Sequence, residues 1–368
     1  MDNQADSKVY NRAKTVVDIV ELALSLVFLA VVVFAGLSVR LRDVVGGMHP
    51  NPYLRLLIFS GILAAANYLL FLPLSFYSGF VLEHRFRLSN QRIIDWIGDE
   101  GKQLGLSLLF MVPLLTVFYF LLRTLGHHWW LPMACILFVF SILLSWLAPV
   151  IIMPLFYEFT EVDDSILTER LTTLSRRLGV TVQSVLSFNM SAKTRKGNAA
   201  LAGLGKTRRI LIGDTLLELL DHDEIEAVFA HELGHHALRH MPKGIAMGFL
   251  NIFTGMGLVA YLYYLSLGYF GFTGIDDLAA LPLLLLYLFG FMLVALPIQN
   301  AISRRFEFEA DSFAILHAAF PASFFTGMRK LESLNLDDPD PHPLIEWYFY
   351  SHPSLGRRLG NARDMLES

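Results

Sequence analysis

The sequence predicts a mainly α fold: a polytopic α-helical membrane protein that also carries a water-soluble portion with a small β-hairpin or sheet. Three observations carry this expectation. Of 368 residues, 54% are hydrophobic and only 17% are charged, an apolar surplus that a soluble domain of this length does not need. The apolar residues gather into six long segments, each able to cross a hydrocarbon core of ~30 Å. Residues 157 to 242 break that pattern with charge, helix caps and short β-like alternation.

The first segment runs from about Thr15 to Val39, behind a polar head with Lys8, Arg12 and Lys14. It is long for the apolar region of a signal peptide and lacks a small-x-small cleavage site, so it reads as a retained anchor. The second spans about Tyr53 to Leu82, the third Leu104 to Leu122, and the fourth Trp129 to Phe156. Trp129 and Trp130 stand at the entrance of the fourth, where amphipathic rings favour the membrane interface. After the soluble portion come Gly244 to Tyr269 and Leu281 to Ile302. The expected divisions are therefore 1–156 (four spans), 157–242, 243–302 (two spans) and 303–368.

Lysine and arginine predict the orientation. Arg85, Arg87, Arg92 and Lys102 follow the second span, and the loop between the fifth and sixth has none. With six spans, residues 157–242 and the C-terminal part share the basic side, which positive-inside makes cytoplasmic. Arg40, Arg42 and Arg55 in the first loop are a mild exception. The formal net charge of −4 offers no footprint for nucleic acid, and Cys135, the single cysteine, excludes an intrachain disulfide framework or a cysteine-ligated metal.

Within the soluble portion, Asp163 or Asp164 caps a helix ending before Gly179, and Val180 to Phe188 alternates like a strand. Asn198 to Leu204, then Gly205-Lys-Thr, then Arg208 to Gly213, reads as a hairpin. A short helix over 214–220 follows, and Asp221 or Asp223 begins the next, which Pro242 is expected to end. That last helix holds Phe229-Ala-His-Glu-Leu-Gly-His-His-Ala-Leu238. Four residues at the helical period turn through ~400°, so His231 and His235 leave one face a turn apart, as two nitrogen ligands. Glu232 beside them can take a proton from a metal-bound water and hand it on, the arrangement of a zinc-peptidase helix.

Such a site needs a third protein ligand and one open position. Ser303-Arg-Arg-Phe-Glu-Phe-Glu-Ala-Asp311 offers it at the exit of the sixth segment. Glu307 can ligate, and Asp311, four residues on and so on the same face, can accept the outer N–H of a ligand histidine. His236 and His240 are expected on the surface, and His127 and His128 at the far interface. The basic cluster Lys193, Arg195, Lys196, Lys206, Arg208 and Arg209 is expected to meet anionic lipid headgroups.

These stretches, with Leu74-Ser-Phe-Tyr-Ser-Gly-Phe-Val-Leu-Glu-His-Arg-Phe86, Asn335 to Leu344 and Tyr350-Ser-His-Pro-Ser-Leu-Gly-Arg-Arg-Leu359, resemble the type I CAAX prenyl protease family over nearly the whole chain. They are more distantly similar to HtpX-type membrane proteases. The resemblance implies a zincin-like (gluzincin) catalytic domain, one Zn2+ per chain, and Glu307 rather than Glu309 as third ligand. It also implies that His352 and Arg358 lie in the active site with Glu232, and that Asn198 and Ala199 begin an edge strand that holds the peptide. Eukaryotic members have seven spans where six are counted here, the difference falling near the N-terminus.

From the residues alone, Arg358 either pairs with Asp311, Glu307 or a surface carboxylate, or touches substrate or oxyanion. His352 could donate to the oxyanion. The expected reaction is peptide-bond hydrolysis by a zinc-activated water, on CAAX-type or other membrane-associated peptides. Partners are a peptide or membrane-protein substrate, prenylated or not, and membrane lipids, with no nucleic acid. The competing readings are a quality-control protease indifferent to prenyl groups and a transporter with structural zinc. The second is disfavoured by spans poor in ionisable groups, Asp18 and Glu21 lying near one end of the first.

Overall fold

The structure, a computed structural model, describes residues 3–203 and 208–367. Among these, six helices are long and apolar enough to cross a membrane, as expected. Helix α1 (Asn3–Phe34) absorbs the polar head as well as the first apolar segment. It does not reach Val39. Gly36 takes a left-handed backbone (φ 66), open to glycine at little cost, and the chain restarts as the short α2 (Leu37–Met48). Helix α3 (Pro52–Phe76) starts beneath Asn51, whose side chain accepts from the N–H of Tyr53 (2.8 Å) and Leu54 (3.3 Å), with proline in the first turn. It continues through a π-turn, Tyr77–Val81, into α4 (Leu82–Arg85). Helices α5 (Ile93–Leu125) and α6 (Trp130–Leu147) complete the first bundle.

Trp129 packs inward. It is 1% exposed, edge-on to Phe118 (5.1 Å between centroids), within an apolar cluster that includes Leu56, Phe59 and Leu122. Two of the three arginines of the first loop find partners within the protein. Arg42 donates to the buried carboxylate of Asp277 (2.7 Å), and Arg55 to the carbonyl of His49 (2.5 Å).

The soluble portion builds a four-stranded sheet in the order β1-β2-β4-β3. In chain order its elements are β1 (Phe159–Glu161), α7 (Ser165–Arg177), β2 (Ser184–Phe188), β3 (Ala199–Ala202), β4 (Arg209–Gly213), α8 (Asp214–Leu219) and α9 (His222–Ala237). Asp164, not Asp163, caps α7 by accepting from Leu167 N–H (2.9 Å). The strand expected from Val180 starts only at Ser184, because Val180 is buried beneath the end of α7 and its N–H bonds the carbonyl of Ser175 (2.8 Å). The expected hairpin is present as antiparallel β3 and β4, with Ala199 opposite Ile212; its turn, with Lys206, lies outside the described residues. Strand β1 had no counterpart in the sequence reading.

Helix α9 ends at Ala237, and Pro242 is not its stop. Arg239 adopts a left-handed backbone (φ 57) and α10 (His240–Ser266) begins at once. Pro242 sits in the first turn of α10, where a missing N–H costs nothing. Helix α11 (Leu281–His317) then runs unbroken from the sixth span through Glu307 and Asp311, so the boundary expected at 302/303 falls inside a helix. Helices α12 (Pro321–Asn335), α13 (Pro343–Phe349) and α14 (Leu355–Glu367) close the chain. Leu171, Ile212, Phe229, Leu233, Ala314, Phe324 and Leu359 share one core, which packs α9 among α7, β4, α11, α12 and α14.

Part of the basic cluster faces inward. Lys193 pairs with Asp99 (2.6 Å), and Lys196 with Glu83 (3.0 Å) while donating to Tyr10 Oη (2.8 Å). Glu83 is 9% exposed and its charge demands a counter-ion. These contacts, with Arg195 N–H on the carbonyl of Leu88 (2.8 Å), tie the segment before β3 to α1 and to the loop after α4. Two of the proposed headgroup contacts are thus satisfied within the protein.

Candidate active site

Helix α9 is started by a reciprocal cap. Asp221 accepts from Glu224 N–H (2.9 Å), and Glu224 accepts from Asp221 N–H (3.0 Å), which selects Asp221 over Asp223. The helix then crosses α11 at a seam of small residues. A side chain at Gly234 would stand 3.2 Å from the Ala310 Cα and 3.1 Å from Phe313 Cβ, tighter than ordinary packing. This close approach brings the carboxylate of Glu307 onto the histidine face of α9.

His231 Nε2 lies 3.4 Å from Glu307 Oε2, His235 Nε2 lies 3.3 Å from Glu307 Oε1, and the two Nε2 atoms are 3.1 Å apart. One donor atom from each of His231, His235 and Glu307 falls within 4.8 Å of the others, so the three can hold a metal ion. The donor set fits zinc, which accepts imidazole nitrogen and carboxylate oxygen in a four-coordinate site. Glu307 Oε2 adds an independent sign. It is buried and accepts no well-directed hydrogen bond among the described residues, although His231, His352 and Arg358 nitrogens stand within 3.6 Å. Such an atom is costly unless a ligand meets it.

Behind the ligands, Asp311 Oδ1 lies 2.9 Å from His231 Nδ1. Arg358 grips Asp311 with two bonds, Nε to Oδ2 (2.8 Å) and Nη2 to Oδ1 (2.5 Å). Asp311 is fully buried and Arg358 nearly so; removing either partner of such a pair typically costs about 3–5 kcal/mol. Burial opposes charge on the His231 ring, but Asp311 and Glu307 outweigh it and lift its pKa to about 9, against the opposing Arg358. Burial raises the pKa of Glu232 above the ordinary carboxylate range, with His231 and His235 drawing it back.

His352 reaches the cluster from the loop between α13 and α14, its Nδ1 3.0 Å from Glu307 Oε2 and its side chain 65% exposed. Arg304 holds that loop. Its Nη1 donates to the carbonyls of Glu346 (3.0 Å), Trp347 (3.3 Å) and Tyr350 (2.5 Å), closing the C-terminal end of α13. Asn198 is exposed and its carbonyl accepts from Gly213 N–H (2.9 Å), while Ala199 opens β3, the terminal strand of the sheet, beside α9.

Sequence reasoning passed over three residues here. Arg304 read as a flank of an acidic turn. His240, expected on the surface, is 5% exposed and lies with its Nδ1 2.9 Å from His235 Nδ1; Glu309, set aside as a ligand, meets the other side of the His240 ring at 3.1 Å. No spacing rule signals these contacts, since each crosses between helices.

Two histidines and a glutamate on crossed helices, beside a partly buried glutamate and within a six-span chain, define the class: an integral, multi-pass membrane metallopeptidase. A family model described as CAAX prenyl protease N-terminal, five membrane helices, matches residues 2–158, and that of peptidase family M48 matches residues 162–366. The chain belongs to the M48 family of zinc metalloendopeptidases, within its CAAX prenyl protease branch. It is 30% identical to CAAX prenyl protease 1 of Saccharomyces cerevisiae over 96% of this chain and 84% of that one. It is 28% identical to the uncharacterized metalloprotease YhfN of Bacillus subtilis over 97% and 85%. The crystal structure of S. mikatae Ste24p superposes with a TM-score of 0.84 at 28% identity, covering 98% of this chain and 88% of that one. Where the N-terminal family model describes five membrane helices, the described residues of that region hold four helices of spanning length plus the short α2.

Proposed function

We propose that this membrane zinc endopeptidase acts on CAAX-type peptides bearing a prenyl group, using one zinc per chain held by His231, His235 and Glu307, with the active site facing the cytoplasm. The observation that carries the reading is the meeting of these three ligand atoms within 4.8 Å where the zinc helix packs on the helix that continues from the sixth span. Zinc, when bound, supplies a Lewis acid for the scissile carbonyl and acidifies water toward a pKa of ~7. Glu232 takes the proton of the attacking water and delivers it to the leaving amine. Asp311 holds the tautomer of His231, and Arg358 acts through Asp311 as a positioning residue. His352 donates to the developing oxyanion, held in range by Arg304. The substrate strand adds along β3 from Asn198 and Ala199, so that backbone bonds supply affinity and side-chain pockets supply selectivity. The names of the yeast relative and of the N-terminal family model support the prenyl preference.

The test compares one peptide in farnesylated and plain forms, with the full chain in detergent. Chelation should abolish cleavage and added zinc restore it. The farnesylated form should have the higher kcat/KM by at least about tenfold, the scale that apolar recognition provides. Equal rates on both forms would reject prenyl preference and leave a broader protease of membrane-associated peptides.

Orientation has its own check. Asp276 is half-exposed in the loop between the fifth and sixth spans. A cysteine placed there, in a Cys135→Ser background because Cys135 is itself exposed, should react with an impermeant reagent applied from outside. Labelling from the cytoplasmic side alone would reverse the proposed topology.

A further inference from the structure

We propose that His240 is a positioning residue for the metal centre: it fixes the tautomer and ring orientation of His235, as Asp311 does for His231, and is itself oriented by Glu309. This rests on the zinc reading of the site.

The donors and acceptors leave a single consistent arrangement. His235 presents Nε2 to the metal-binding cluster, 3.1 Å from His231 Nε2 and 3.3 Å from Glu307 Oε1. Its ring proton then sits on Nδ1, 2.9 Å from His240 Nδ1, which must accept. A neutral imidazole that accepts at Nδ1 carries its proton on Nε2, and that atom lies 3.1 Å from Glu309 Oε2, a carboxylate able only to accept. Glu309 is held as a carboxylate by Arg305 (3.0 Å) and Lys243 (3.6 Å). Every proton in the chain His235–His240–Glu309 therefore has one place.

The fold maintains this line. The left-handed Arg239 turns the chain so that the first residue of α10 faces back onto α9. Phe306 of α11 then stacks flat on the His240 ring, at 4.3 Å and 9°. The His240 side chain is 4% exposed, so water offers His235 little alternative partner. Both zinc-facing histidines are thereby backed by a carboxylate, one directly and one through a second imidazole. Outer partners of this kind orient a ligand and raise its basicity.

The experiment measures zinc affinity of the full chain by competition with a chelator, in His240→Leu, His240→Asn and Glu309→Ala. Leu and Asn are similar in size and leave similar space, but only Asn can accept from His235 Nδ1. The expected result is zinc bound about 10–100-fold more weakly by His240→Leu, with most of the loss restored in His240→Asn. Equal affinities for the Leu and Asn variants, or wild-type affinity for both, would overturn the proposal. Should neither fold, Glu309→Ala decides: its side chain is 31% exposed, and zinc should bind at least about threefold more weakly if the line is intact and unchanged if it is not. A wild-type chain that takes up no zinc would overturn the metal-centre reading and this inference together; tight wild-type binding without the Leu–Asn difference would overturn the inference alone.

Discussion

Glu232→Gln is expected to yield a protein that retains its zinc and loses turnover by roughly 10²–10⁴-fold, the range a positioned general acid–base supplies. The reason is geometric. Glu232 neighbours the cluster formed by His231, His235 and Glu307 without contributing to it, so the amide removes a base and no ligand. Burial already raises the Glu232 pKa, which suits a group that must first accept and then return a proton near neutrality. The measurement is kcat on a peptide substrate together with zinc per chain. Turnover near wild type would remove Glu232 from the chemistry, and loss of zinc would make it part of the metal site.

His352→Ala is expected to lower kcat by about 10²–10³-fold while KM and zinc content change little. As the peptide bond is attacked, its carbonyl oxygen gains charge, and a donor that meets the charge only then acts on the transition state more than on the bound peptide. His352 comes from a separate loop that Arg304 clamps, and its exposed ring can turn toward substrate. The structure also offers a competing role, because His352 Nδ1 stands 3.0 Å from Glu307 Oε2. Zinc content separates the two. A variant that loses zinc assigns His352 to holding Glu307, and a variant with normal turnover makes it an ordinary turn histidine.

Much of this protein was legible along the chain because the relevant information is local. A membrane span is a length of apolar residues, so six spans could be counted, and the helix period alone put His231 and His235 on one face. Glu307 and Asp311 were legible for the same reason. Where the reading missed, the cause was again local and physical: Gly36 splits an apolar run that hydropathy joins, and Val180 folds back under α7 instead of extending the strand.

By itself, then, the sequence determined the spans, the soluble portion between them, the two-histidine helix and the acidic face able to complete it. Only the tertiary structure decided which faces meet. The small-residue seam at Gly234 and Ala310 lets α9 approach α11 closely enough for Glu307 to reach both histidines. Arg358 is bound to Asp311 across 47 residues, one of the pairings the residues alone left open. His240 was expected to point away from the site because an uninterrupted helix would carry it there. A left-handed backbone at Arg239, a residue with no special bias toward that conformation, turns it onto His235 instead, and Glu309 meets it across 69 residues. Periodicity encodes the faces of an element; the angle between elements is set by packing, which no spacing along the chain records.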